Sequence, residues 1–238
     1  MIIALQNLSK PICANYSRRG YPIVKMNLYG TLFLFICHIN NKMSTKSGSS
    51  ITCFPLYTFE QQQAAKQLQQ EIALYSKSRK HYLMTSRFSS QTANENKRFR
   101  DLRKIGCTYG SSKPVSSCVP INAIMFVLEM DITRNQIIGI GMTRNSPCTT
   151  LPYSIYEHGN YNRYVFSGKH RIDRSEFGKE ELAWIELLEN TCFRGTRNLK
   201  RGSGLTSFPV EICYIYDKYE SLNFVEKICG LFARKLGV

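Results

Sequence analysis

The strongest constraint on the fold of this chain is a pair of apolar runs, residues 123–130 and 136–142, with five residues between them. The first run contains Ile, Met, Phe, Val and Leu, the second contains three Ile and one Met, and the connection reads Asp-Ile-Thr-Arg-Asn. This pattern predicts two antiparallel strands joined as a hairpin. Gly139 and Gly141 alternate with Ile140 in the second run, so one face of that strand lacks side chains there. We expect another part of the chain, or a ligand, to approach the sheet closely on that face.

The remaining patterns mix helices and strands without a repeat, which predicts an α+β fold. We expect a small barrel-like, mostly antiparallel sheet with peripheral helices, in one domain that spans residues 53–238. Further strands are predicted at 81–88, 154–156 and 162–166, and helices at 92–104, 180–193 and 219–236. Residues 106–120 are rich in Gly, Ser, Pro and Lys and are predicted to be irregular.

Residues 1–50 are predicted to be a basic N-terminal extension that ends in a polar linker. Residues 1–94 contain eleven Lys/Arg but only two acidic residues, Glu60 and Glu71. The apolar run 28–39 is too short to span a bilayer, which needs about 20 residues. A buried strand or a peripheral helix is favoured over a signal-peptide core for this run. Translation from Met43 is an open alternative, which would leave residues 1–42 outside the working protein.

The nine cysteines bear on the compartment in which the chain works. Their number is odd, and no two of them have C-x-x-C spacing. This pattern favours free thiols over a disulfide framework. We therefore expect an intracellular protein of the cytoplasm or the nucleus.

The charge of the chain indicates the class of its partner. Thirty-two Lys/Arg against 17 Asp/Glu give a net charge of +15, and such an excess attracts polyanions. Nine Lys/Arg lie within residues 161–204, among glycines and aromatic residues. Basic side chains and glycine amides suit phosphate groups, and exposed rings suit stacked bases. Nucleic acid is therefore the predicted partner.

Two basic segments, 161–174 and 193–204, are the candidate contact regions. The predicted nucleic-acid-binding residues are Arg163, Tyr164, Lys169, Arg171, Arg174, Arg194, Arg197, Lys200 and Arg201. On the predicted strand 162–166, Tyr164 and Phe166 share one face, where they either stack on bases or belong to the core. The glycine-rich loop after residue 193 either holds phosphate or is a solvated loop. Arg98, Arg100, Arg103 and Lys104 are auxiliary candidates.

No catalytic motif, metal-ligand spacing or nucleotide-binding fingerprint is present in the sequence, so no catalytic residue, metal or cofactor is predicted. An enzymatic alternative remains open, because clustered carboxylates hold Mg²⁺ in nucleases. Glu129 and Asp131 share a strand face in the predicted hairpin, and Asp173 lies near Lys169. These residues would serve a metal-dependent nuclease or another nucleic-acid-modifying enzyme.

Residues 118–145 resemble the central hairpin of the PUA-like superfamily, which includes the EVE, ASCH and YTH modules. The resemblance lies in an apolar strand followed by Ile137-Ile-Gly-Ile-Gly141. Residues 94–100, Asn-Glu-Asn-Lys-Arg-Phe-Arg, are similar to the helix start of EVE-type modules. The resemblance implies a small β-barrel with peripheral helices that binds RNA or modified DNA.

The chain also resembles uncharacterised proteins of large DNA viruses, through motifs such as Tyr161-Asn-Arg-Tyr164 and Lys200-Arg-Gly-Ser-Gly204. These motifs imply an origin and no mechanism. From the residues and both resemblances we expect a nucleic-acid-binding protein that recognises RNA or single-stranded or modified DNA.

Overall fold

The structure is a computed structural model that describes residues 59–149, 154–195 and 198–237. The chain divides into two compact units, Met1–Lys77 and Ser78–Val238. The predicted extension 1–50 and the predicted boundary at residue 53 lie outside the described residues. Helix α1 (Phe59–Ser78) contains the described residues of the first unit, and its apolar residues Leu68 and Ile72 are buried.

The second unit has an α+β architecture, as predicted. Its elements are β1 (His81–Phe88), α2 (Ser90–Arg103), β2 (Cys107–Ser111), β3 (Ile124–Asp131), β4 (Gln136–Arg144), β5 (Tyr164–Gly168), β6 (His170–Asp173), α3 (Lys179–Phe193), β7 (Leu205–Ser207), α4 (Val210–Glu220) and α5 (Phe224–Leu236). Short 3₁₀ turns occupy Gly159–Asn162, Arg174–Glu176 and Leu199–Arg201. None of the described helices is both long and apolar enough to cross a membrane.

The strands form two sheets. Five strands are hydrogen-bonded in the order β6-β4-β3-β1-β7, and β2 pairs with β5 in a second sheet. β1 and β3 are parallel, because α2 and β2 lie between them in the chain, and the other pairings of described strands are antiparallel. Lys169 alone separates β5 from β6, so the chain passes directly from the small sheet to the edge of the large one.

The large sheet is open, and this corrects the predicted barrel-like closure. Its hydrogen-bonded order ends at β6 on one side and at β7 on the other. β2 approaches β7 where Gly204 packs against Ser111, but the described residues of these two strands form no ladder. The prediction of a mostly antiparallel sheet with peripheral helices agrees with the structure.

The large sheet is buried on both faces. On one face, Met84 and Val127 pack with Tyr109 and Phe166 of the small sheet in a single apolar cluster. On the other face, Phe126 of β3 stacks on Phe232 of α5, with ring centroids 5.4 Å apart. Burial on both faces explains why β3 begins with the continuous apolar run Ile124–Leu128, whereas a half-exposed strand would alternate.

Other side chains approach the two glycines of β4 closely, as the sequence predicts. A Cβ at Gly141 would overlap the hydroxyl of Tyr109 and come within 2.9 Å of Cys107 Sγ. A Cβ at Gly139 would lie 2.5 Å from Nη2 of Arg171. Side chains of β2 and β6 therefore occupy the space that the missing side chains of β4 leave.

Several predicted element boundaries differ from the structure. Residues 106–120 contain β2, whereas residues 154–156 form no strand. The predicted helix 219–236 begins at Phe224 instead, because Ser221 adopts a left-handed conformation with φ 52° and ends the preceding helix. Asn223 then caps α5 by accepting the N–H of Glu226.

We expect Gly141→Ala to lower the free energy of unfolding by about 1–3 kcal/mol, because its new methyl group overpacks the space held by Tyr109 and Cys107. Urea unfolding followed by circular dichroism measures the change. Gly230→Ala is the matched control, since no described atom lies within 4 Å of its added Cβ. Gly230→Ala lies within α5 and should raise the free energy of unfolding by up to about 1 kcal/mol, because alanine has a higher helix propensity than glycine. Equal stabilities of Gly141→Ala and the wild type would contradict the close approach.

Candidate nucleic-acid interface

Arg171, a predicted phosphate contact, is held inside the protein by two carboxylates. Its Nε lies 2.9 Å from Oε2 of Glu129, and its Nη2 lies 2.7 Å from the same oxygen. Its Nη1 donates to Oδ2 of Asp173 at 2.7 Å. The side chain of Arg171 is 12% exposed and that of Glu129 is 3% exposed. Arg171 is therefore committed to the interior, which removes it from the candidate interface.

Tyr109 completes this buried cluster. Its hydroxyl donates to Oε1 of Glu129 at 2.8 Å. Burial and the nearby carboxylate of Glu129 raise the pKa of Tyr109 well above its ordinary value, so the phenol stays protonated and remains a donor. Burial and Glu129 also raise the pKa of Cys107 to about 12, which keeps this thiol neutral. The cluster is a packed polar core between the two sheets.

The carboxylates that the sequence offered for a metal-dependent nuclease are bound by other groups of the fold. Glu129 pairs with Arg171, and Asp173 pairs with Arg171 and accepts the N–H of Ser175. Asp131 accepts the N–H groups of Thr133 and Arg134 in the β3–β4 turn, at 2.8 and 3.0 Å. Across residues 59–149, 154–195 and 198–237, no three His, Cys, Asp or Glu side chains lie close enough together to hold a metal ion.

Arg174 is a second predicted contact with partners inside the fold. Its Nη1 lies 2.5 Å from Oε1 of Glu189 on α3 and donates to the carbonyl of Ile137 at 2.7 Å. Glu189 in turn accepts the N–H of Ile137. This interaction fastens α3 to β4, so Arg174 has little freedom to reach a ligand.

The structure separates Lys169 from the other exposed candidates. Lys169 is exposed beyond the end of β5, where its carbonyl packs on Gly106. Arg163 and Tyr164 lie at the opposite end of β5, about 16–20 Å away at 3.3 Å per residue. Of the auxiliary candidates, Arg100 donates to Asn96 Oδ1 and to the carbonyl of Gly106.

The start of β5 and the loop after α3 meet at Ser111. Tyr164 is the register partner of Ser111, and Gly204 packs against the same serine. Gly204 has φ +68°, and a Cβ there would lie 2.8 Å from the Cβ of Ser111. The start of the first basic segment and the end of the second therefore lie together around Ser111.

Arg87 extends this basic region, although the sequence did not single it out. Its Nη1 donates to the carbonyl of Lys200 at 2.8 Å. Nζ of Lys200 lies 6.0 Å from the ring centroid of Phe193, and Arg194 follows that ring at the end of α3. Arg87 is the one exposed position of β1, and the sequence signal that could have identified it is a single cation in the otherwise uncharged run Tyr82–Phe88.

We name this surface the basic rim and define it by Arg87, Arg163, Arg194, Lys200 and Arg201. Four of these residues are exposed and Lys200 is half-buried. Among the described residues, none of the five forms an ion pair with a carboxylate. The sequence also contains no acidic residue from 194 to 210. Arg197 belongs to the same loop but lies outside the described residues.

The aromatic candidates divide between core and surface. Phe166 is fully buried, and Tyr164 is half-buried against the apolar cluster. The guanidinium of Arg163 lies 5.7 Å from the ring centroid of Tyr164. Trp184, the single tryptophan, is buried in α3. Tyr164 is therefore the predicted stacking residue that remains at the surface, beside a cation of the basic rim.

A cleft between α3 and α5 carries cations of a different kind. It has a volume of about 310 Å³ and includes two ion pairs. Lys227 pairs with Glu180 at 3.1 Å, and Arg234 pairs with Glu181 at 2.5 Å. These cations are balanced by carboxylates, unlike those of the basic rim.

Comparison with known proteins identifies no relative, since no family model, curated protein sequence or solved structure matches this chain. Its function is therefore inferred from the residues of the site.

We expect Arg171→Leu to lower the free energy of unfolding by about 3–5 kcal/mol, because it leaves Glu129 buried without its cation. The double variant Arg171→Leu with Glu129→Leu should recover much of the loss. Urea unfolding of the wild type, Arg171→Leu, Glu129→Leu and the double variant gives a double-mutant cycle, which measures the coupling between the two residues. Arg174→Leu is the comparison variant. It removes an ion pair that is more exposed than that of Arg171, so it should lower the free energy of unfolding by less. Additive effects of the two single changes would contradict a coupled buried pair.

Asp173 gives the protein a pH dependence in acid. Partial burial raises its pKa, but hydrogen bonds from Arg171 and Ser175 outweigh burial and hold the pKa below its ordinary value. The unfolded chain then binds this proton more readily, so the stabilisation is present at neutral pH and is lost as the pH falls below about 4. Asp173→Asn should flatten the decline in urea midpoint between pH 5 and pH 3. An unchanged pH profile would show that Asp173 does not contribute.

Proposed function

We propose that this protein binds nucleic acid through the basic rim, and that its ligand is RNA or single-stranded or modified DNA. The observation that carries the proposal is the convergence of five cations without carboxylate partners among the described residues. They come from β1, from the start of β5, from the end of α3 and from the turn Leu199–Arg201.

The contrast with the other cations of the protein supports this assignment. Arg171, Arg174, Lys227 and Arg234 each lie against a carboxylate, so their charge is neutralised locally. The rim cations keep counterions, and a polyanion that displaces those counterions gains binding free energy. A net charge of +15 attracts the same class of ligand from a distance.

Features beside the rim support RNA or single strands as the ligand. Tyr164 is half-buried next to Arg163, and a ring beside a cation is a common support for an unpaired base. The β3–β4 hairpin resembles PUA-like modules, a superfamily whose members bind RNA or modified DNA.

The proposal includes an intracellular location, in the cytoplasm or the nucleus. The six cysteines that the structure describes are all free thiols, and thiols persist in reducing compartments.

The binding experiment titrates the full chain against labelled single-stranded RNA, single-stranded DNA and duplex DNA of equal length, over a series of salt concentrations. We expect binding to a single-stranded ligand, with an affinity that falls linearly on logarithmic axes as salt rises. No binding to any of the three ligands at low salt would overturn the proposal.

A rim variant, Arg194→Gln with Arg201→Gln, should reduce the magnitude of the salt slope by about 1.4–1.8, because it removes two phosphate contacts. The control variant, Lys227→Gln with Arg234→Gln, makes the same change in net charge at the cleft between α3 and α5. It should leave the slope nearly unchanged. Equal effects of the two variants would show that net charge, and no particular surface, determines binding.

A further inference from the structure

Ser203 stands in an unusual charge pattern within the loop of the basic rim. It follows Lys200-Arg201-Gly202, so basic residues occupy the third and second positions before it. No other serine or threonine of the 238 residues has Lys or Arg at both of these positions. Basophilic serine/threonine kinases select substrates by such charge patterns, because acidic groups of the kinase bind the two cations.

The structure makes this serine accessible. Ser203 and Arg201 are exposed, and Lys200 is half-buried. Lys200 and Arg201 lie in the 3₁₀ turn Leu199–Arg201, and the backbone becomes extended at Gly202, with φ −61° and ψ 151°. A kinase that binds its substrate in extended form must therefore unwind only this single short turn. Glycines on both sides of Ser203 leave its hydroxyl without bulky neighbours in the chain.

The surroundings of Ser203 also suit a phosphate group. The loop contains no carboxylate from 194 to 210, and the rim residues Arg194, Lys200 and Arg201 lie in the same segment. A phosphoserine carries a charge of about −1.5 to −2 at pH 7 and pairs well with arginine. The modified side chain would therefore be held by the cations that otherwise meet a nucleic acid.

We propose that Ser203 is a phosphorylation site for a basophilic serine/threonine kinase, and that its phosphate opposes nucleic-acid binding at the basic rim. The second half of this statement rests on the proposed function. In the transfer, Oγ of Ser203 attacks the γ-phosphorus of ATP, and the bond from that phosphorus to the β–γ bridging oxygen breaks. The hydroxyl proton passes to the catalytic base of the kinase, and ADP leaves.

The first test incubates the full chain with Mg-ATP and the catalytic subunit of cyclic-AMP-dependent kinase, as a representative basophilic enzyme. Mass spectrometry of peptides should place one phosphate on Ser203. Ser203→Ala should abolish this signal, and Arg201→Gln should slow it by about tenfold, because one recognised cation is lost. Ser207→Ala is the control: Ser207 is also exposed, but Gly204 and Leu205 occupy the third and second positions before it. Absence of phosphate on Ser203, or equal labelling of Ser203→Ala, would overturn the assignment.

The second test compares binding of labelled single-stranded RNA before and after kinase treatment. Phosphorylation should weaken binding by about tenfold at low salt and reduce the magnitude of the salt slope by about 1.4–1.8. Kinase-treated Ser203→Ala should bind as the untreated protein does.

The two halves of the proposal fail separately. A phosphorylated Ser203 with unchanged RNA binding would overturn the regulatory role and leave the proposed function standing. A phosphorylated Ser203 in a chain that binds none of the nucleic acids, modified or unmodified, would overturn both the proposed function and the regulation. The modification site would stand in that case.

Discussion

The buried carboxylate of Glu129 is the group that the polar contacts within the large sheet and between the two sheets share. The guanidinium of Arg171 lies against Gly139, between Glu129 of β3 and Asp173 of β6, and it therefore ties the centre of the large sheet to its edge. Tyr109 reaches the same carboxylate from the small sheet. The arrangement requires β4 to carry glycine at both 139 and 141, because any side chain there would occupy the space of the arginine or the phenol. A buried charge of this kind is tolerated since each of its partners is hydrogen-bonded.

This buried cluster also determines which cations are available to a ligand. Arg171 and Arg174 occur in the same basic segment as Arg163, yet carboxylates of the fold neutralise the first two. Arg163 is exposed, and β-pairing brings it to the end of the molecule where the loop after α3 also lies. The proposed binding surface is therefore smaller than the basic content of the sequence indicates, and it gains Arg87 from β1.

The loop after α3 carries the cations of the proposed binding surface and the serine of the proposed regulation. It presents Lys200 and Arg201 on a short 3₁₀ turn, anchored by Arg87 at one point and by the packing of Gly204 on Ser111 at another. Anchoring limits the entropy that ordering on a ligand would cost. The exposed Ser203 lies between these two anchors, and the proposed phosphate would add its negative charge beside Lys200 and Arg201.

The sequence alone determined the β3–β4 hairpin, the strand 81–88, the helix 180–193 and the close approach at Gly139 and Gly141, because periodicity and glycine placement are local signals. It did not reveal β2, because the Gly, Ser and Pro residues of 106–120 outweigh the strand-forming Thr108 and Tyr109, which are buried in the structure. It did not show that the sheet is open, nor which arginines are buried. Composition reports how many charges a chain carries, whereas the tertiary structure decides which carboxylate each cation meets, and hence which cations remain for a partner.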